Sequence, residues 1–425
     1  VSFDQLWLKL ESLGLVDEKH FQSILNTGMY KYCPDTMNVT QAQHEALTSI
    51  IHTIDSGETF PHIGQGFLAR PILIEGDAGT GKTVVATTLF YYLKTHPKYK
   101  SLKIGLVYSN PAMRNVIQQV FAHTPGLRKT DVIAPIDVTK HHYDIIICDE
   151  AQRLRQAKNI GRYIVHFKKG NERLHLDNSH DELDWLLLNA GRLILFYDPK
   201  QIVCPSDISQ TKFDGRLKDR KRGIRPVELK EQMRIHAGSQ YVPYIYDILF
   251  QRNNISKKFV NYDFKLFSSF QDMWNALEEK EAAVKLCRFC TGYGWPWVSK
   301  EDSKKPDIQL EGREIWWNRQ TDGWLQNPEA KLEMGSIYSL AGLDINYAAV
   351  IIGPDLIYDI KDQKIKVNRQ NYFDNKVKQG VTDEELTAFL LKTYAVPMTR
   401  GILGTYVYTC DQNLFRYLQR FIPTA

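Results

Sequence analysis

Gly76-Asp77-Ala78-Gly79-Thr80-Gly81-Lys82-Thr83 follows the apolar run Pro71-Ile72-Leu73-Ile74-Glu75 and leads into a segment of helical character. The run reads as a buried parallel strand, and the octet matches G-x-x-x-x-G-K-[ST] in full. Its glycines let the backbone bend tightly, so that successive N–H groups turn inward at phosphate oxygens. Lys82 would reach the β- and γ-phosphates, and the Thr83 hydroxyl would hold a magnesium ion. A helix beginning near Lys82 adds the partial positive charge of its N-terminus. The alternative is a glycine-rich turn with no ligand; the strand before it and the helix after it argue for the phosphate loop.

Outward from this loop, apolar strands alternate with helices. Strands are predicted at 71–75, 103–108, 131–135, 144–148 and 192–197, with helices at 82–94, 111–122 and 181–190. This alternation predicts an α/β fold, a parallel sheet wrapped by helices on both faces. After the basic stretch Lys212 to Arg225, read as a connection, a second alternating set follows. Its strands fall at 225–229, 283–287, 346–352 and 403–409, and its helices near 240–250, 270–280, 383–393 and 411–421. The expected division is a helical lead-in (1–37), a first domain (38–221) and a second (222–425) with an irregular insertion near 291–335.

Composition fits a globular chain of that plan. Of 425 residues 43% are hydrophobic and 24% charged, enough for more than one core. No apolar stretch is long enough to span a bilayer and no signal pattern opens the chain, so no membrane partner is expected. A net charge of +5 is compatible with a polyanionic partner without requiring one. The six cysteines are scattered, and Cys148 sits inside a predicted buried strand, which suits the reducing cytoplasm. Cys287-x-x-Cys290 has no second pair at zinc spacing and reads as two core residues sooner than half a metal site. Opening on Val1 rather than Met, the chain is compatible with a piece of a longer protein.

A second chemical element is Tyr143 to Gln152, an apolar strand ending in Asp149-Glu150-Ala151-Gln152. Ligands of open parallel sheets bind at the carboxyl ends of strands. Asp149 would hold the magnesium ion and Glu150 would polarise the attacking water, the two roles that phosphoanhydride hydrolysis needs. Leu195-Phe196-Tyr197-Asp198-Pro199-Lys200-Gln201 is a further strand ending in polar groups, where the Gln201 amide can sense a γ-phosphate. Arg234, in Gln232-Met233-Arg234 after a strand of the second half, and Arg400, in Thr399-Arg400-Gly401, offer rigid forks for phosphate oxygens.

In that order, these elements resemble the superfamily 1 DNA/RNA helicases, and among them the bacterial Schlafen group-three-like DNA/RNA helicase domain family. The resemblance covers roughly residues 38–425. It implies two RecA-like parallel-sheet domains around a P-loop, ATP and Mg2+ in the cleft between them, and single-stranded DNA or RNA running across both. It further implies that Gln43, in Thr40-Gln41-Ala42-Gln43, reads adenine, and that Ser109-Asn110-Pro111 grips the nucleic-acid backbone. Gly342 and Asp344 would link the ATP site to the strand. Four positions depart from the family pattern: Tyr197 for glycine, Met233 for a base-stacking aromatic, Asp344 for glutamate and Gly401 for alanine.

Polymer contacts have two candidate sources. The basic run Lys212, Arg216, Lys218, Arg220, Lys221, Arg222 and Arg225 is either a phosphate track or a solvated linker. Trp295, Trp297, Trp316, Trp317 and Trp324 either stack on bases or fill the core of the insertion. The expected function is an ATP-dependent helicase or single-strand translocase. The alternative is a nucleotide-gated regulatory module controlling a partner, such as a fused or associated nuclease, without unwinding.

Overall fold

The computed structural model describes residues 32–34, 39–56, 71–218, 227–252, 255–319, 324, 333–340 and 344–425. The helical lead-in, apart from residues 32–34, lies outside them. Strands β1 (Ile72–Gly76), β2 (Ile104–Tyr108), β3 (Val132–Ile133), β4 (Tyr143–Asp149), β5 (Ala190–Tyr197) and β6 (Val227–Leu229) form one sheet, ordered β3-β2-β4-β5-β1-β6. Every pairing in it is parallel. Side chains alternate across it, as strand geometry requires. Ile72 and Ile74 face a cluster with Val85, Leu89, Phe90 and Ile117, whereas Leu73 faces Leu183, Leu186 and Phe213 on the other side. The first face is covered by α1 (Gln41–Asp55), α2 (Lys82–Thr95) and α3 (Pro111–His123), the second by α4 (Glu182–Asn189) and a helix over Gln210–Lys218.

A second parallel sheet, ordered β11-β8-β12-β15-β7, contains β7 (Asp263–Phe267), β8 (Cys287–Thr291), β11 (Met334–Ser336), β12 (Ile345–Ile352) and β15 (Gly401–Thr409). Two hairpins hang from it, β9 (Ile308–Leu310) with β10 (Arg313–Ile315), and β13 (Leu356–Asp359) with β14 (Lys364–Val367). Helices α5 (Tyr241–Leu249) and α7 (Asp383–Met398) pack on one face and α6 (Phe270–Val284) on the other. Both sheets have the RecA-like plan expected from the sequence, parallel strands with helices on both faces. Cys287 and Cys290 of β8 join clusters on opposite faces, so they are core residues and not a paired site.

Several expectations change. The strand near 225–229 belongs to the first sheet: β6 pairs with β1, Gly76 beside Leu229. A strand of three residues carries no pattern that says which sheet it joins. The strand expected at 283–287 begins at Cys287, because α6 runs on to Val284 and Lys285 and Leu286 take positive φ (+61° and +51°), which breaks the helix. The strand expected at 131–135 is only two residues long, ended by a helical turn over Pro135–Val138. The connection after Lys200 is partly helical. Phe213 and Leu217 are buried against Tyr197, and Lys212 and Arg216 pair with Asp181 and Asp184, both at 3.0 Å. β7, both hairpins and the helix over Ile164–Arg173 had no counterpart among the expected elements.

After β12 the chain buries Asp355 completely. The Tyr394 hydroxyl donates to its Oδ1 at 2.6 Å, and Oδ2 has no partner among the described residues. Burial pushes this carboxyl up to about 7 from an ordinary 3.8. The folded chain therefore holds a proton that the unfolded chain releases near pH 4, and stability falls as pH rises from about 4 to about 7. Asp355→Asn keeps an acceptor for Tyr394 and cannot ionise. It is expected to flatten this slope, raising stability at pH 8 by on the order of 4 kcal/mol relative to pH 4. Urea unfolding at both pH values checks this; an unchanged slope would assign the pH dependence elsewhere.

Candidate nucleotide and nucleic-acid site

Parallel pairing sets the strand ends level. Tyr108 lies beside Asp149, Glu75 beside Tyr197, and Gly76 beside Leu229. The phosphate loop, the Asp149-Glu150 pair, the Asp198–Gln201 turn and the Gln232–Arg234 turn therefore leave the sheet along one carboxyl edge. On the second sheet the amino edge carries the partners: Asp344 directly precedes β12 and Arg400 directly precedes β15, with Ile345 beside Gly401.

In the loop, Gly79 and Gly81 take positive φ (+87° and +84°), backbone that side-chain-bearing residues avoid. Gly81 stands at the start of α2 with no side-chain cap, which leaves the helix's first N–H groups directed into the loop. Lys82 is buried, its Nζ donating to Gly76 O at 2.6 Å and Asp77 O at 3.0 Å, with Asp198 Oδ2 at 3.6 Å. The Thr83 hydroxyl donates to Asp149 Oδ2 at 2.6 Å. Burial, and next the Glu150 charge, push the Asp149 carboxyl up to about 6. A hard cation held by the Thr83 oxygen and this carboxylate would offset that cost. Glu150 sits in left-handed backbone (φ +53°), which turns its side chain out of the strand line.

A chain of side chains leads from Glu150 to the second half. Gln152, fully buried, donates to Glu150 Oε2 and accepts from Asp198 N–H at 3.1 Å. Asp198 Oδ2 accepts from Gln201 Nε2 at 2.7 Å, and Gln201 Oε1 accepts from Arg400 at 3.3 Å. Arg400 is 3% exposed, and its Nε has no hydrogen-bond partner among the described residues. Burial, and next the neighbouring Arg234, pull its guanidinium below the usual range. A buried cation next to a second cation calls for an anion, and a triphosphate on the loop would fit these two residues. Arg234 pairs with Asp344 at 2.7 Å and donates to Thr399 O at 3.2 Å, beside Arg400.

The sequence-predicted residues Lys82, Thr83, Asp149, Glu150, Gln201, Arg234, Asp344 and Arg400 thus meet at one cleft. Gly342 lies outside the described residues. Gln43 lies beside the loop, its carboxamide nitrogen next to Gly81. Gln152, Asp198, Lys200 and Gln232, which stand in these motifs without an expected role of their own, join the same network. Lys200 is paired with Asp77 of the loop at 2.7 Å, a link between positions 123 residues apart that no local spacing reveals. Tyr32 is buried here too; burial, and next the Asp344 charge, hold its phenol well above its ordinary range.

Along the same edge, Asn110 caps α3 by accepting from Ala112 N–H at 3.0 Å, with Pro111 in the first turn. Ser109, Asn110 and Pro111 line a groove of about 320 Å³ with Arg153, Arg155 and Ser206. Asn159, on its rim, donates to Gln379 O of the second half at 2.7 Å. The tryptophans are mainly packing: Trp317 and Trp324 are buried, and Trp316 donates to Ser303 O at 3.1 Å. Of the basic run, Arg220, Lys221, Arg222 and Arg225 lie outside the described residues.

The chain is 26% identical over 393 residues to the uncharacterized protein YPL245W of Saccharomyces cerevisiae (strain ATCC 204508 / S288c), covering 82% of this chain and 83% of that one. Among solved structures, Mss116p bound to ssRNA and AMP-PNP matches at 12% identity, 96% of this chain, 75% of that chain and a TM-score of 0.41. A structure of two coordinating Pif1 helicases on forked dsDNA matches at 12% identity, 87% and 92% coverage and a TM-score of 0.30. The model of the Schlafen group 3 DNA/RNA helicase domain matches residues 70–411. With most of its length inside that match, the chain belongs to the Schlafen group 3 DNA/RNA helicase domain family.

Proposed function

We propose that this chain is an ATP- and magnesium-dependent motor that hydrolyses ATP between its two sheets and moves along single-stranded DNA or RNA. The observation that carries the reading is the convergence of Lys82, Thr83, Asp149 and Glu150 from one half with Arg234 and Arg400 from the other. Loop N–H groups and Lys82 bind the phosphates. Thr83 and Asp149 would hold the magnesium ion, which supplies charge neutralisation at the phosphate oxygens. Glu150, aimed by Gln152, orients the attacking water, and Gln201 stands between that carboxylate's partners and Arg400. Arg400 stabilises charge on the departing phosphoryl group, so hydrolysis needs both halves closed. The Gln232–Arg234 turn, leaving β6 beside the loop, carries closure into the second half. The groove at Ser109–Pro111 would take the strand's phosphates. The six free cysteines, five of them buried, suit work in a reducing cytoplasm.

The test is steady-state ATP turnover with no polymer, single-stranded DNA, single-stranded RNA and duplex, repeated from 50 to 200 mM salt. Single strands are expected to stimulate turnover, with an apparent affinity that falls steeply with salt. No turnover under any condition would overturn the enzyme reading. Turnover indifferent to every polymer would overturn the motor and favour a nucleotide-gated switch acting on a partner, for example a fused or associated nuclease.

A further inference from the structure

Asp77 is the one acid in the stretch Gly76–Thr83, a carboxylate set into a backbone built to hold anions. A negative charge that close to a chain of phosphates opposes their binding, because water and salt screen it little at short range. The structure answers this charge from another strand end. Lys200 Nζ lies 2.7 Å from Asp77 Oδ1 and 2.8 Å from Oδ2, so the ammonium donates to both oxygens. The two side chains are 40% and 35% exposed, and a pair so open to water adds little to the stability of the fold. Its effect lies in where it stands.

The backbone of Lys200 is held from both halves of the molecule. Its N–H donates to Asp198 Oδ1 at 3.1 Å, inside the Asp198–Gln201 turn of the first half. Its carbonyl oxygen accepts from the Tyr246 hydroxyl at 3.0 Å. Tyr246 is a buried residue of α5, packed in the core of the second half. The seat of the ammonium on Asp77 therefore depends on the seat of the second half. This contact is separate from the Gln201–Arg400 bond at the next residue, which comes from the amino edge of the second sheet. We propose that Lys200 is a positioning residue that shields the phosphate loop from Asp77, and that Tyr246 makes this shield a gate on nucleotide release. With the second half seated, the loop is neutralised and keeps its nucleotide. With the second half withdrawn, Lys200 loses its anchor, Asp77 is bared and the phosphates are repelled. This rests on the nucleotide-hydrolase reading above and adds to it a control on product release.

The experiment measures affinity and release rate of ribose-labelled ADP on the full chain, with competition by inorganic tripolyphosphate and a thermal melt of each variant. Lys200→Ala is expected to weaken ADP and tripolyphosphate alike by about 10-fold, the effect of one unshielded charge near the phosphates. Asp77→Asn alone should bind at least as tightly as wild type. The double variant, which carries the same net charge as the native pair, is expected to return within about 3-fold of wild type. A lysine that merely supported the fold would show no such rescue. Tyr246→Phe is expected to speed ADP release ~3-fold or more, the worth of one hydrogen bond, and to lose that effect in the Asp77→Asn background. A double variant as weak as Lys200→Ala would overturn the shield, since the lysine would then act on the phosphates directly. Unchanged release in Tyr246→Phe would overturn the gate. Failure of wild type to bind either ADP or tripolyphosphate would remove the hydrolase reading itself, and this inference with it.

Discussion

Arg400→Ala is expected to bind ATP with near wild-type affinity and to lose at least ~10³-fold in turnover, the low end of an arginine finger's contribution. On the proposed reading the first half supplies the ground-state contacts, since the loop N–H groups, Lys82 and Thr83 all lie within β1, the loop and α2. Arg400 comes from the amino edge of the second sheet, and its hydrogen bond to Gln201 already bridges the cleft. Its removal leaves no buried acid unpaired, since Arg234 keeps Asp344, so the fold should survive. Polymer stimulation should disappear with the basal rate if, as proposed, the arginine is the group through which the second half acts on the phosphates. Nucleotide affinity and stimulated turnover measured side by side check both parts. Wild-type-like stimulated turnover would make the second half a passenger.

Glu150→Gln is expected to bind ATP and to lose ~10²–10⁴-fold in turnover, the range of a positioned general base. The amide preserves an acceptor for Gln152, so the side chain stays aimed while its basicity goes. Lys82→Ala should do the opposite and weaken binding itself, because Lys82 is proposed to touch the ground-state phosphates. It also leaves Asp198 buried without its cation. Isothermal titration with a non-hydrolysable ATP analogue, beside a phosphate-release assay, separates the two. Near-normal phosphate release by Glu150→Gln would move the base to another residue.

The phosphate loop, the Asp149-Glu150 strand end and the two parallel sheets were legible because each is a local pattern: an apolar run, a punctuating glycine set, a carboxylate at a strand end. Arg400 was legible only through the order of elements, since nothing around it distinguishes it from a surface arginine. What escaped is what depends on pairing between distant segments. β6 has three residues, and only its register beside Gly76 shows that Arg234 starts next to the loop. Gln152 and Asp198 look like ordinary strand-end polar residues until the backbone bond between them is seen. Trp317 and Trp324 carry no sign in the sequence of which aromatic faces a core, and both turn out buried.

The measurement closest to the central claim is binding of ADP with aluminium fluoride, a mimic of the phosphoryl group in transfer, to wild type and Arg400→Ala. Closure of the second half on the γ-phosphate predicts that wild type binds the mimic at least ~10²-fold more tightly than ADP alone. Arg400→Ala should bind ADP as wild type does and lose that preference. An equal preference for the mimic in both proteins would contradict hydrolysis between the two halves.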